Sequence, residues 1–342
     1  MKKLFAKTYI IAGALLLIVF QSSCLKNFDE EKQNEENKLI NDYIKANGFT
    51  DENKLPTGIY LKFYNDTTLT DSAKPVTGNT VLLSFTGLYT DGEIYETTDP
   101  ELGTSLFSDH YFVYGPMRLK MGKILYGVDT TLRFFSPGDS GTMVIPSNYA
   151  WYDYRPVVYH IKLHEVIEND SLYEESVFKS FFDSSNFSKT KIIAQYTSTK
   201  AAYPKDLYYQ FSHDSVDSLA KTPINVAIND SLMIDLTARF AENYYGNAIG
   251  RIFFPLSNYP SQFKYRYGNG SMFPIVPAID SAIKHMAVGD ELEICGQSWW
   301  GYGDEGFNDS YYNIIAVPAY TSVHYKIRLL GHRKSDIWTY AE

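Results

Sequence analysis

Two ten-residue stretches decide how this chain folds: Thr80–Tyr89, TVLLSFTGLY, and Ser231–Phe240, SLMIDLTARF. Each is rich in aliphatic, β-branched and aromatic residues and reads as a strand with one face for a core. They stand 151 residues apart, and Gly138-Asp139 is answered by Gly289-Asp290 at the same offset. Upstream, Leu39, Ile40, Tyr43 and Ile44 lead to Gly48-Phe49; 138 residues on, Val177, Phe178, Phe181 and Phe182 lead to Asn186-Phe187. The stretch PTGIYLKF at 56–63 returns as PKDLYYQF at 204–211, both strands that start from a proline. Finally VVYHIKLHEV, Val157–Val166, returns as VHYKIRLLGH, Val323–His332, at an offset of 166. The second copy therefore carries about fifteen extra residues just before its last strand. An ordered series of correspondences with matched spacing is the mark of a duplicated unit.

Before each Gly-Asp pair lies a short helical stretch, with Val128, Leu132 and Phe135 in one copy and Ile279, Ile283 and Met286 in the other. The spacing i, i+4, i+7 puts each set on one face. Each unit is then a helix, several strands, a short helix and a last strand: an α+β domain with a mainly antiparallel sheet. Gly48 and Asn186 suit the left-handed position that ends a helix, and Ser171 with Glu174 reads as a capping box for the second helix. The expected boundaries are a tether and helix at 24–55, a first domain at 56–168, a linker with a helix at 169–202, a second domain at 203–333 and a tail at 334–342. Each domain is expected to fold alone, the second from residue 203.

The N-terminus has the pattern of a secretory signal over residues 1–23. Lys2, Lys3 and Lys7 are followed by the uncharged apolar run Thr8–Phe20 and then by Gln21-Ser22-Ser23-Cys24. That run is shorter than the roughly 20 residues a membrane-spanning helix needs. Removing residues 1–23 takes away three lysines and no acid, which moves the formal charge from −9 to −12. So acidic a chain is a poor partner for nucleic acid or for anionic headgroups, both of which select basic surfaces. Only Cys24 and Cys295 could bind as thiols, too few for a zinc site. His160 and His164 share one face of a strand without a third ligand in sequence reach, so no metal and no cofactor is expected.

The residues around Cys24 resemble a bacterial lipobox, which implies a lipidated, palmitate-bearing first residue. The acidic run Lys26–Glu31 resembles the export signal of Bacteroidetes surface lipoproteins. Both imply an envelope protein held by lipid at the outer membrane, on its periplasmic or surface face.

The repeat itself resembles the FKBP-type peptidyl-prolyl cis-trans isomerases. In the second unit the resemblance is carried by Ala287-Val288-Gly289-Asp290, Trp300-Gly301-Tyr302-Gly303-Asp304-Glu305-Gly306, Val317-Pro318 and Ser322–Leu330. In the first it is carried by Phe85-Thr86-Gly87-Leu88, Asp91–Thr98, Ser136–Asp139 and Val144–Ser147. The helix and Gly-Ile-Tyr strand that open the repeat are also similar to exported FKBP lipoproteins of Bacteroidetes. The family's fold implies two tandem domains, each a curved antiparallel sheet around one short helix, with an aromatic and aliphatic pocket.

The pocket implied in the second unit is Phe253, Phe263, Tyr265, Ile275, Val276, Ile279, Tyr302, Val317 and Tyr325, with Tyr302 as donor to the substrate carbonyl. In the first unit it is Phe85, Tyr95, Glu96, Ile124, Leu125, Val128, Trp151 and Tyr159, with Tyr111 or Phe112 as a further wall. Without the resemblance every one of these positions reads as core. The departures are specific. Trp151 replaces the hydroxyl-bearing Tyr, Ile279 and Val128 replace the family's Trp floor, and Phe254 replaces its acid. The implied activity is isomerisation of X–Pro bonds in exported polypeptides, together with a folding-helper role. The alternative is a degenerate module that grips proline-containing peptides or another envelope protein without catalysis.

Overall fold

The computed structural model describes residues 29–65, 74–106, 114–184, 192–195, 206–211, 222–242, 252–255, 260–268, 274–309, 314–334 and 337–340. The signal segment, Cys24, Tyr111, Phe112, Asn186-Phe187 and Pro204 lie outside the described residues. Among the described residues no helix is long and apolar enough to cross a membrane, and no group of three His, Cys, Asp or Glu is placed to hold a metal ion.

The chain divides into two compact units, one of residues up to 99 with 119–166, the other of 100–118 with 167–342. In chain order the first part holds α1 (residues 29–46), β1 (Tyr60–Asn65), β2 (Thr80–Tyr89), β3 (Ile94–Thr97), α2 (Pro100–Leu106), β4 (Met117–Lys120), α3 (Tyr126–Leu132), β5 (Ser140–Ile145) and β6 (Val157–Ile167). Then come α4 (Asp170–Ser184), β7 (Ile192–Gln195), β8 (Asp206–Phe211), β9 (Ser231–Phe240), β10 (Ile252–Phe254) and β11 (Gln262–Arg266). They are followed by α5 (Pro277–Ile283), β12 (Glu291–Gly296), β13 (Phe307–Asp309), β14 (Ile314–Val317), β15 (Val323–Lys334) and β16 (Ile337–Tyr340).

Both units are α+β with an antiparallel sheet, and the two sheets have one plan. The first runs β1-β5-β6-β2-β3 with β4 also on β2; the second runs β8-β12-β15-β9-β10 with β11 also on β9, extended by β7 beyond β8. The registers correspond residue by residue. Val144 pairs with Tyr60 and Val158, and its counterpart Cys295 pairs with Tyr208 and His324.

The turn before β5 and β12 is built identically. Gly138 and Gly289 have φ of 98° and 95°, a region open to glycine. Asp139 Oδ2 accepts the Ser136 N–H at 2.7 Å, and Asp290 Oδ2 accepts the Ala287 N–H at 2.7 Å.

Each sheet packs on both faces, because alternate residues of a strand point to opposite sides. On one face the short helix docks. Val128, Leu132 and Phe135 join Leu83, Met143, Ile145 and Leu163 in the first core; Ile279, Ile283 and Met286 join Ile234, Leu292, Ile294 and Ile327 in the second. On the other face lies the helix that precedes the unit. Ile40 of α1 packs with Tyr60, Val144 and Val158; Phe181 and Phe182 of α4 pack with Ala241 and Cys295. Burial drives the Cys295 thiol pKa well up.

The stretch read as a linker with a helix holds α4, which covers a sheet face, and β7, which pairs with β8; both fall in the second unit. One expectation is corrected here. Glu174 does not close a capping box. Asn169 Oδ1 accepts the Ser171 and Leu172 amides instead, and Glu174 is buried and bonded elsewhere.

Candidate functional site

In the second unit the nine residues implied by the resemblance converge. Phe253, Tyr265, Ile275, Val276, Ile279, Val317 and Tyr325 are buried in one cluster, with Phe263 and Tyr302 half-buried against it. They come from β10, β11, the start and body of α5, β14, β15 and the turn after β12, so the sheet's curvature and the helix aim them at one place. The aromatic rings meet edge to face, as their quadrupoles favour. Phe253 lies 6.2 Å from Tyr302 and 6.1 Å from Tyr325 between centroids, at 72° and 80°.

Three tyrosine hydroxyls stand in this surround: Tyr265 donates to Asp280 Oδ1 at 3.4 Å, and those of Tyr302 and Tyr325 lie together. Tyr302 donates to the Pro274 carbonyl at 3.4 Å, a long bond that a better acceptor could replace. The Tyr325 hydroxyl is fully buried with no hydrogen-bond partner, though it lies beside that of Tyr302. Burial pushes both phenol pKa values up, so both stay protonated as donors. Where Glu96 stands on β3, β10 has Phe254, packed edge-on against Phe263 at 5.6 Å.

The first unit arranges its residues differently. Val128 and Tyr159 are buried, and Phe85, Tyr95, Ile124 and Leu125 pack half-buried against them. Tyr159 donates a short hydrogen bond to Glu96 Oε1, and burial raises the Glu96 pKa against that bond. The Tyr95 hydroxyl is buried with no hydrogen-bond partner, its ring 6.1 Å from that of Tyr159. Trp151 does not join the core: it is 53 % exposed, with its indole beside the Tyr95 hydroxyl. Tyr89 lies tilted at 43° against Tyr95 with centroids 4.9 Å apart, and the Arg155 guanidinium sits 3.5 Å over Tyr89. The first site thus holds Glu96 with the hydroxyls of Tyr95 and Tyr159, whereas the second holds the hydroxyls of Tyr265, Tyr302 and Tyr325 and has its acid, Asp280, on α5 instead of at the Glu96 position.

The extra residues of the second copy form the β13–β14 hairpin, and Phe307 from it packs on Tyr302 at 5.6 Å. Sequence reasoning passed over Phe307 and also Phe240, which stacks on Phe253 at 4.9 Å. Phe240 was legible as the inward end of a strand; Phe307 had no periodic context to mark it.

No family model matches the chain, and no curated protein matches it. Among solved structures, a peptidyl-prolyl cis-trans isomerase from Pseudomonas syringae pv. tomato is similar at 20% identity, over 40% of this chain and 95% of its own, with a TM-score of 0.32. FkpA from Escherichia coli is similar at 15% identity, over 40% of this chain and 60% of its own, with a TM-score of 0.32. The three FKBP domains of wheat FKBP73 are similar at 11% identity, over 84% of this chain and 99% of theirs, with a TM-score of 0.29. With superposition this low, function is argued from the chain's own residues and strand order.

Proposed function

We propose that this chain is a tandem FKBP-like protein of the bacterial envelope whose second unit binds and isomerises X–Pro segments of exported polypeptides. The observation that carries the reading is the convergence of Phe253, Ile279, Tyr302 and Tyr325 in one apolar surround with two protonated phenols. Rotation about an X–Pro bond breaks no covalent bond, so neither nucleophile nor metal is needed; the barrier is amide resonance. A twisted amide has lost much of its charge separation and is favoured by an apolar wall. A donor placed where only the twisted amide brings its carbonyl oxygen then binds that geometry in preference to either planar one.

Tyr302 serves as that donor by exchanging its long bond to Pro274 for the substrate carbonyl. The first unit, with its acid engaged by Tyr159 and Trp151 at the rim, fits a second reading for that copy: peptide binding without turnover.

A protease-coupled proline-isomerisation assay on the mature chain tests this. Tyr302→Phe is expected to lower the rate several-fold, in line with the loss of one neutral hydrogen bond of about 0.5–1.5 kcal/mol. Trp151→Phe is expected to leave it unchanged. The reverse pattern assigns activity to the first unit, and no activity with retained peptide binding leaves the binding-module reading.

The anchor is proposed to be a lipid on Cys24. Cys24→Ser should release the protein from the membrane pellet into the soluble fraction, and a variant that still pellets sinks the lipid anchor.

A further inference from the structure

Each unit contains a one-turn 3-10 helix immediately after its central strand: Ser147–Tyr149 after β5 and Ser298–Trp300 after β12. Their backbone bonds match. Ala150 and Tyr152 donate to Ser147 O at 2.9 and 2.8 Å, and Gly301 and Gly303 donate to Ser298 O at 2.8 and 2.8 Å. The residues before them, Pro146 and Gln297, give no side-chain cap. The first amide of each turn would therefore be orphaned in a buried place.

In both units a glutamate from the preceding helix takes that amide. Glu36 Oε1 of α1 accepts the Ser147 N–H at 2.5 Å, and Glu174 Oε1 of α4 accepts the Ser298 N–H at 2.5 Å. Both glutamates are nearly sealed from solvent, 1 % and 3 % exposed. Glu174 also accepts the hydroxyls of Ser298 at 2.9 Å and Ser322 at 2.8 Å, which ties the turn to the residue before β15. A carboxylate accepting from a buried amide is a strong bond and fixes geometry.

The amides so held lie four residues before Trp151 and Tyr302, the rim residues of the two sites. A shift of the Ser298 turn moves Tyr302, because Gly301 and Gly303 on either side bond to Ser298 O. We propose that Glu174 and Glu36 are positioning residues: the helix ahead of each unit is a brace whose carboxylate sets the rim turn, and in the second unit sets the height of the Tyr302 donor. The consequence for the donor rests on the function proposed above; the brace itself does not.

The test compares the mature chain with Glu174→Ala, Glu174→Gln and Glu36→Ala, reading amide hydrogen exchange at the two turns and proline isomerisation in parallel. Glu174→Ala is expected to speed exchange at 298–303 about ten-fold or more, with β12 and β15 unchanged. It should lower kcat with KM nearly constant, since only a transition-state contact is displaced. Glu174→Gln keeps a carbonyl acceptor and should restore most of both; if the alanine variant at 174 fails to fold, the matched bond of Glu36 to Ser147 carries the test. Glu36→Ala should act on 147–152 alone.

Unchanged exchange at 298–303 in Glu174→Ala, or at 147–152 in Glu36→Ala, overturns the brace. Loosening of β12 and β15 to the same degree as the turn makes the glutamate a general core contact, and also overturns it. If the wild-type chain neither binds nor turns over a proline peptide, the proposed function fails, while the exchange comparison still decides the brace.

Discussion

His160 and His164 show how a residue that tempts a functional reading is settled by its neighbours. They share the open face of β6, where His160 Nδ1 meets Thr142 Oγ1 at 2.6 Å and His164 Nε2 meets Ser84 Oγ at 2.8 Å. Burial lowers both pKa values, and for His164 the nearby Lys162 adds to it. A folded pKa below the ordinary 6.5 means that the unfolded chain takes up protons first. The neutral imidazoles thus contribute stability that is present above pH 6.5 and lost as the pH falls below it. The first unit is expected to melt at lower temperature at pH 5 than at pH 7, and His160→Gln with His164→Gln should flatten that slope. A slope unchanged by the double substitution would refute the assignment. Glu293 of the second unit acts lower on the scale: its bond to His324 helps hold its pKa at about 2, so its contribution is present above about 4.5 and lost only as the pH falls toward 2.

At the scale of elements, the β13–β14 hairpin is the part of the second unit that the first lacks, and one glycine permits it. Gly306 has φ of 68°, and a Cβ there would stand 2.3 Å from Val317 O and 2.7 Å from Ala319 N. Both neighbours are backbone, so neither can swing away. Gly306→Ala is expected to destabilise the second unit by about 1–3 kcal/mol and to free Phe307 from Tyr302. Limited proteolysis should then cut within 303–317 before any other site in the unit; a cut pattern like that of the wild type would count against this. The extra length of this segment was readable from the offsets of 151 and 166, but its strands were not, since three- and four-residue strands carry too little alternation to register. The short helices were readable because their apolar faces run past the helix ends to Phe135 and Met286. The buried glutamates were missed for the opposite reason. Glu174 reads as a local cap and Glu36 as a solvated charge unless the partner is known, and Ser147 and Ser298 are over a hundred residues away. The signal was present all the same: Glu36 and Glu174 share the 138-residue offset of the helical stripe.

For the whole molecule, the boundary of the second unit is the point on which sequence and structure part. Residue 203 looks like a start because proline and strand follow it, yet α4 supplies Phe181, Phe182 and Glu174 to the same fold. The segment 100–118 contributes too: Arg118, 6 % exposed, makes a short ion pair with Glu242 and bonds Thr321 at 2.6 Å. A fragment of residues 203–342 is expected to be molten and protease-sensitive, because Tyr208 and Cys295 lose their cover and Ser298 its acceptor. A fragment of 167–342 should resist proteolysis longer, although it lacks the bonds of Arg118 to Glu242 and Thr321. Equal resistance of the two fragments would restore the boundary at 203.

The matched carboxylates also date events within the chain. A device present in both copies, down to the same atom on the same amide, was already in the ancestral unit when it doubled. The hairpin, the acid on β3 and the tryptophan at the rim are each found in one copy only, so at each of these points one copy changed after the doubling. Inheritance thus kept the scaffold that holds the rim and let its chemistry diverge, so that one ancestor came to offer two different mouths on a single chain.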